Sequence, residues 1–141
     1  MDYKNSVLAS LVGGVVMGII LTLTGSLTAV ALLVGSSSIL VAWIVHLVIS
    51  AALGLVYAGV YDNWVKQRMK PLAAGLLYGF VWYLLGALTL MPLVTGLGLQ
   101  WSAAAVAGTL DSLVAHLAYG LVLGWARERL AQGVSASKAA A

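Results

Sequence analysis

The sequence predicts an all-α membrane protein, a four-helix bundle built from two tandem helical hairpins. Three observations predict it. Of 141 residues, 62% are hydrophobic and 8% charged, with a mean hydropathy of +1.06. A soluble domain carries about 25% charged residues, so this chain cannot cover a water-facing surface. Long stretches hold no charge, notably the run between Lys4 and Asp62. Finally, the two halves of the chain repeat one pattern of glycines and one histidine each.

The elements follow from hydropathy and breakers. A crossing needs about 20 apolar residues. The run from Lys4 to Asp62 is too long for one crossing and suits two, broken near VGSSS, Val34 to Ser38. The first helix is expected over about 6–28 and the second over about 38–61, together the first repeat. YDNWVKQRMKP is the strongly polar loop, and its Pro71 suits the first turn of a third helix. That helix runs to about Leu90, where Met91-Pro92 is expected to end it. LVTGLGLQW reads as a turn-rich outer linker. The outer linkers have room for short interfacial helices. The fourth helix starts between Ser102 and Thr109 and ends near Trp125, so the second repeat covers about 71–126. A single bundle takes residues 1–131. The small-residue stretch QGVSASKAAA, 132–141, is expected to be a disordered tail.

Basic residues set the orientation. Lys66, Arg68 and Lys70 share one loop, Arg127, Arg129 and Lys138 follow the last apolar run, and only Lys4 lies elsewhere. Positive charge flanks cytoplasmic ends, which predicts a multi-pass protein of the cell membrane with both termini on the cytoplasmic side. The same positions account for the net charge of +3 and pI near 9.4, so no nucleic-acid partner is needed to explain them. The basic loop itself reads as an orientation signal touching anionic headgroups. A rival reading takes MDYK, the apolar run and Ala29 to Ala31 as a cleavable signal peptide. Against it, the run is long and its head balances one Lys with one Asp.

The repeat is specific. Gly14, Gly18 and Gly25 recur as Gly75, Gly79 and Gly86 under a shift of 61, with Leu11/Leu72 and Thr28/Thr89. His46, Leu47, Leu53 and Gly54 recur as His116, Leu117, Leu123 and Gly124 under a shift of 70. Two helices separate equivalent positions, so the hairpins run parallel and a pseudo-twofold axis lies along the membrane normal. The glycines, with Gly120, read as helix-packing positions. Small residues four apart let backbones approach where lipid supplies no hydrophobic drive.

The two histidines are the candidate site. Ionisable groups at membrane depth face the bundle interior, so His46 and His116 should face each other or occupy equivalent pockets. Three readings compete. Each histidine hydrogen-bonds a neighbouring helix and locks the fold. Alternatively, the pair ligates a b-type haem, one His from each of two helices. The outer half, however, has no Lys or Arg for the propionates. Or the pair lines a pathway for protons or a small solute. A metal centre is not expected, because zinc wants three or four protein ligands and Asp111 is the only nearby carboxylate. There are no cysteines, no nucleophile elbow, no phosphate loop with a lysine, and no HExxH. These absences argue against an enzyme.

AGLLYGFVWYLLGALTLMPLVTG followed by HLAYGLVLG, with the earlier WIVHLVISAALGLVYA, resembles a group of small bacterial and archaeal integral membrane proteins. They carry four predicted helices and a His-Leu-x-x-Gly-like signature in the even-numbered ones. The resemblance covers most of residues 6–126 and implies a four-helix membrane fold, without a particular activity. The first copy departs from the signature, since Ser50 stands where the second has Gly120. The expected function is therefore a non-enzymatic membrane protein, either a small permeation unit or an accessory subunit of a larger complex. Four slender helices leave little internal volume, which favours a path at a homo-oligomer interface. A haem-binding redox protein is the alternative.

Overall fold

A computed structural model describes residues 2–139, with side chains described through residue 133. The chain is all-α, and no strand occurs among the described residues. Helix α1 spans Tyr3–Leu23, and Asp2 caps it by accepting from the Asn5 amide at 3.2 Å. Gly25 ends it in the left-handed region at φ 77°, and the Ser26 amide reaches back to the Leu21 carbonyl at 2.8 Å. Only glycine adopts this turn at no steric cost. The short helix α2, Thr28–Ala31, continues as a single 3-10 turn, Leu32–Val34.

Helix α3 spans Ile39–Val60 and runs on as a π-helical turn, Tyr61–Val65. Half of the expected polar loop is therefore helical. Helix α4 spans Pro71–Trp82, continues as a π-helical stretch, Tyr83–Leu90, and ends in α5, Met91–Val94. Met91-Pro92 does not end this helix, contrary to the sequence expectation. Proline lacks the N–H that would bond the carbonyl four residues back. Here that carbonyl, of Leu88, accepts from the Gln100 amide of the returning linker at 3.0 Å. After α6, Ala103–Ala107, the last helix α7 spans Leu110–Ala139. It extends past Trp125 and carries 132–139 as helix where a disordered tail was expected; residues 140 and 141 lie outside the described residues.

Three helical stretches are long and apolar enough to cross a membrane by length and composition: Tyr3–Leu23, Ile39–Val65 and Pro71–Val94. Asp111, His116 and Arg127 dilute the hydropathy of α7. Large apolar side chains, among them Leu8, Val12, Ile19, Leu40, Val48 and Leu77, lie exposed on the outside. The interior is built of small and aromatic residues, with Ala9, Ala42, Ala115, Tyr57 and Tyr119 fully or almost fully buried.

Helix α7 packs along both α1 and α4, and α1 also packs on α3. The backbones of α3 and α4 stay apart, and the two helices meet through side chains, the Tyr57 and Tyr78 rings lying edge-on at 5.0 Å. The helices thus follow the spatial order α3–α1–α7–α4.

Candidate functional site

Close packing positions the site, and the glycines permit it. A Cβ at Gly75 would strike the Gly120 carbonyl oxygen, and one at Gly120 the Gly75 carbonyl. Gly79 rests on the His116 carbonyl and Gly124 on that of Pro71. On the other pair of helices, a Cβ at Gly14 would strike the Ser50 hydroxyl, and one at Gly18 would lie 2.5 Å from the Trp43 ring. A Cβ at Gly54 would lie 2.7 Å from the Val7 Cα. All seven therefore pack helices together. Two predicted packing glycines do not. Gly25 has no atom within 4 Å of a Cβ position and serves the turn. Gly86 meets only the His116 Nε2, at 3.6 Å, and gives that ring room. Gly13, which the glycine spacing did not mark, is a packing glycine as well, since a Cβ there would lie 2.7 Å from the Tyr119 carbonyl oxygen.

These seams bring His46 and His116 to one cavity. Two connected lobes, of about 310 and 290 Å³, share Met17, Leu33, Ile49 and Gly86 together with both histidines. The other lining residues include Leu53, Trp82, Leu90, Met91 and Val94, so the wall is largely apolar. Ile49 of α3, Leu90 of the π-helical stretch and Val94 of α5 line the cavity and are also exposed on the outer surface. The upper lobe reaches Ser26, Thr109, Asp111 and Ser112.

The two rings are held differently. His46 is buried and its Nε2 lies 2.8 Å from the Gly14 carbonyl. A carbonyl only accepts, so Nε2 carries the proton. The His116 Nδ1 lies 2.7 Å from the Ser112 carbonyl of its own helix, so there Nδ1 carries it. The Tyr83 ring meets His116 edge-on at 5.9 Å. Their surroundings differ, since Ser50 stands four residues after His46 and Gly120 four residues after His116. The Ser50 hydroxyl donates to the His46 carbonyl at 2.8 Å, and Ser10 donates to the Ser50 carbonyl at 2.5 Å. With its proton so used, Ser10 accepts from the Tyr119 hydroxyl at 2.7 Å.

Polar groups continue in both directions. At one end Ser26 donates to Asp111 at 2.5 Å, and the Tyr83 hydroxyl donates to Thr109 at 2.9 Å. At the other end sits a buried cation. Arg127 is 6% exposed; its Nε donates to Ser6 at 2.9 Å, and its terminal nitrogens lie 3.5 Å from Asp2 and 3.4 Å from Asp62. The Asp2 amide donates to Asp62 at 2.7 Å, and the guanidinium sits 5.9 Å from the Tyr61 ring. A cavity of about 990 Å³ adjoins this cluster, lined by Lys66, Gln67 and Glu128 among others. Arg127 is thus a buried cross-link between α1, the end of α3 and α7, in addition to being a basic residue of that end. Lys66, Arg68, Lys70 and Arg129 are exposed, with the Arg129 guanidinium 6.0 Å over the Trp125 ring.

The sequence signal for Arg127 existed: it lies on the helical stripe of His116, Gly120 and Leu123. Ser6 and Ser10 likewise follow the four-residue spacing that leads to Gly14. Among the described residues, no group of three or more His, Cys, Asp and Glu side chains is placed to hold a metal ion. Comparisons with protein families, with curated proteins and with solved structures find no match to this chain.

Proposed function

We propose that the chain is a four-span protein of the cell membrane with both termini cytoplasmic, and that it acts as a small non-enzymatic permeation unit. Its solute would occupy the cleft shared by His46 and His116. The observation that carries this reading is that one cavity is lined by the chain's only two histidines. Polar pairs above and below that cavity supply stepping points in an otherwise apolar interior. A fourth crossing by α7 is supported by its packing along two apolar helices. It is further supported by compensation of its charges, Asp111 by Ser26 and Arg127 by Asp2 and Asp62. The exposed basic residues gather at the Arg127 end, which favours that end as cytoplasmic.

Descent from a duplicated hairpin is supported by the crossings. Gly14 meets Ser50 on α1 and α3, and Gly75 meets Gly120 on α4 and α7; the shifts are 61 and 70, as in the sequence. Gly54 on Ser10 and Gly124 on Pro71 correspond in the same way. Under this pseudo-symmetry the α1–α7 seam should recur between α3 and α4. It does not close there, because Gly13 corresponds to Ala74 and Met17 to Tyr78. The larger Tyr78 holds the helices apart as a strut, its hydroxyl donating to the Leu53 carbonyl at 2.7 Å. The cleft is the consequence.

A bis-histidine haem is less well supported. The His46 Nε2 is engaged by Gly14, and the cleft lining contains no cation to pair with propionates. The permeation reading is tested in proteoliposomes, with glycerol efflux followed by light scattering and proton flux by an entrapped pH dye. Wild type should exceed protein-free vesicles in at least one flux, and His116→Leu should reduce it at equal folded protein. Absence of both fluxes from well-folded protein would overturn permeation and leave the accessory-subunit role, with partners to be sought in the native membrane.

A further inference from the structure

We propose that the cleft selects a lipid-soluble molecule with a single hydroxyl head, a phenol or a long-chain alcohol. It enters between α3 and α4 and donates its proton to His116 Nε2. The proposal rests on the membrane reading above and names the class of molecule the cleft takes.

Three observations converge on this class. The first is the hydrogen-bond polarity of the ring. His116 spends its only N–H on the Ser112 carbonyl, so the Nε2 of the neutral imidazole is a bare acceptor. Among the described residues, no protein group donates to it. Gly86 lies beside it, the position of a Cβ there being 3.6 Å from Nε2, and Gly86 lines both lobes. The ring therefore turns its acceptor to the cavity. The partner it lacks is a donor.

The second is the wall. Met17, Leu33, Leu53, Trp82 and Leu90 enclose the lobes, and the combined space suits an apolar body of modest size. Neither Lys nor Arg lines it, so a carboxylate or phosphate head would lie unpaired in an apolar wall, at high cost. A cationic head has Asp111 at the far edge of the upper lobe, but that carboxylate already accepts from Ser26. A neutral donor is the head that pairs with the bare Nε2 without bringing a charge into an apolar wall.

The third is the entrance. Ile49, Leu90 and Val94 form an exposed apolar rim on the α3–α4 side, which in the membrane reading faces acyl chains. A solute concentrated in the bilayer reaches the site there without passing through water.

The test uses a matched pair of probes, 4-hexylphenol and its methyl ether 4-hexylanisole. They share the apolar body and differ in the donor. Binding to the full chain in lipid nanodiscs is followed by tryptophan fluorescence, since Trp82 lines the cleft and Trp43 lies 6.2 Å from the His46 ring. Wild type should bind the phenol saturably and about two- to tenfold more tightly than the ether, the factor that one net hydrogen bond supplies. His116→Phe keeps an aromatic of similar bulk without the acceptor. It should bind both probes alike, at the affinity of the ether for wild type. Equal binding of the two probes by wild type, or discrimination that survives His116→Phe, would overturn the proposal. Should His116→Phe fold poorly, Gly86→Val blocks the space beside Nε2 from the other helix and should also abolish the preference. Folded incorporation into nanodiscs is scored first by circular dichroism. Failure at that step refutes the membrane reading, while failure of discrimination in folded protein refutes only the ligand class.

Discussion

The sharpest prediction concerns Gly75→Ala. The added Cβ points at backbone: the Gly120 carbonyl oxygen, the Gly124 nitrogen at 2.9 Å and the Gly124 Cα at 3.0 Å. None of these atoms can rotate away, so relief requires moving α4 off α7. Opening a packed seam by about 1 Å forfeits roughly a quarter to a half of the dispersion energy across it. Over one crossing we expect a loss of about 1–3 kcal/mol, the usual range for overpacking. Gly14→Ala meets instead the Ser50 side chain; turning the hydroxyl away costs its bond to the His46 carbonyl, about 1 kcal/mol, and the Ser50 Cβ, 2.7 Å from the added atom and fixed by the backbone, forces a smaller shift of α1 from α3. Gly59→Ala meets nothing within 4 Å and removes a helix glycine, so it should be neutral or stabilising by up to about 1 kcal/mol. Denaturant unfolding in mild detergent, read by circular dichroism, should rank the variants Gly59→Ala, Gly14→Ala, Gly75→Ala in falling stability. A Gly75→Ala protein as stable as wild type would refute the close α4–α7 seam, and an equal cost at Gly59 would refute backbone contact as the cause.

Arg127→Met should lower stability by about 3–5 kcal/mol, because Asp2 and Asp62 lose the cation they share; the same unfolding assay checks this. Arg127→Lys should recover only part, since one ammonium cannot reach Ser6 and both carboxylates in the guanidinium's geometry. Ser10→Ala should cost about 1–3 kcal/mol by leaving the Tyr119 hydroxyl buried without its acceptor, and the double variant with Tyr119→Phe should be more stable than Ser10→Ala alone. Tyr78→Phe removes the strut to Leu53 at about 0.5–1.5 kcal/mol. It should change the rate at which a maleimide reaches a single cysteine introduced at Ile49, a clean readout in a chain with no native cysteine. An unchanged rate would show that Tyr78 does not set the width of the gap.

Much of the fold was legible from particular residues. The glycine spacings at 14 and 18, and again at 75 and 79, marked the faces that pack, because only a missing side chain admits a neighbouring backbone at this distance. The same spacing misled at Gly25 and Gly86. A four-and-seven pattern in one strand of sequence does not say where the partner helix diverges, and both lie beyond the crossing. Pro92 misled for a similar reason. The residue that relieves it, Gln100, comes from a linker whose path is not a local property. The histidines were legible as interior groups from their polarity alone. Their nitrogens were not, since which one is bare depends on whether the nearest carbonyl belongs to another helix, as Gly14 does, or to the same one, as Ser112 does.

Composition and periodicity settled what is repetitive and local: helices throughout, long apolar stretches, small residues at the seams, positive charge toward one end. Those properties average over many residues, so no single contact can overturn them. Tertiary structure decided what depends on one atom meeting another. It buried Arg127 against two carboxylates, closed the α1–α7 seam and set Tyr78 between α3 and α4. It also brought His46 and His116 to the same cavity. Those outcomes turn on differences as small as one methyl group: a Cβ at Gly13 would lie 2.7 Å from the Tyr119 carbonyl oxygen. Such a difference is almost invisible in hydropathy yet large enough, in a close-packed interior, to decide whether two helices meet.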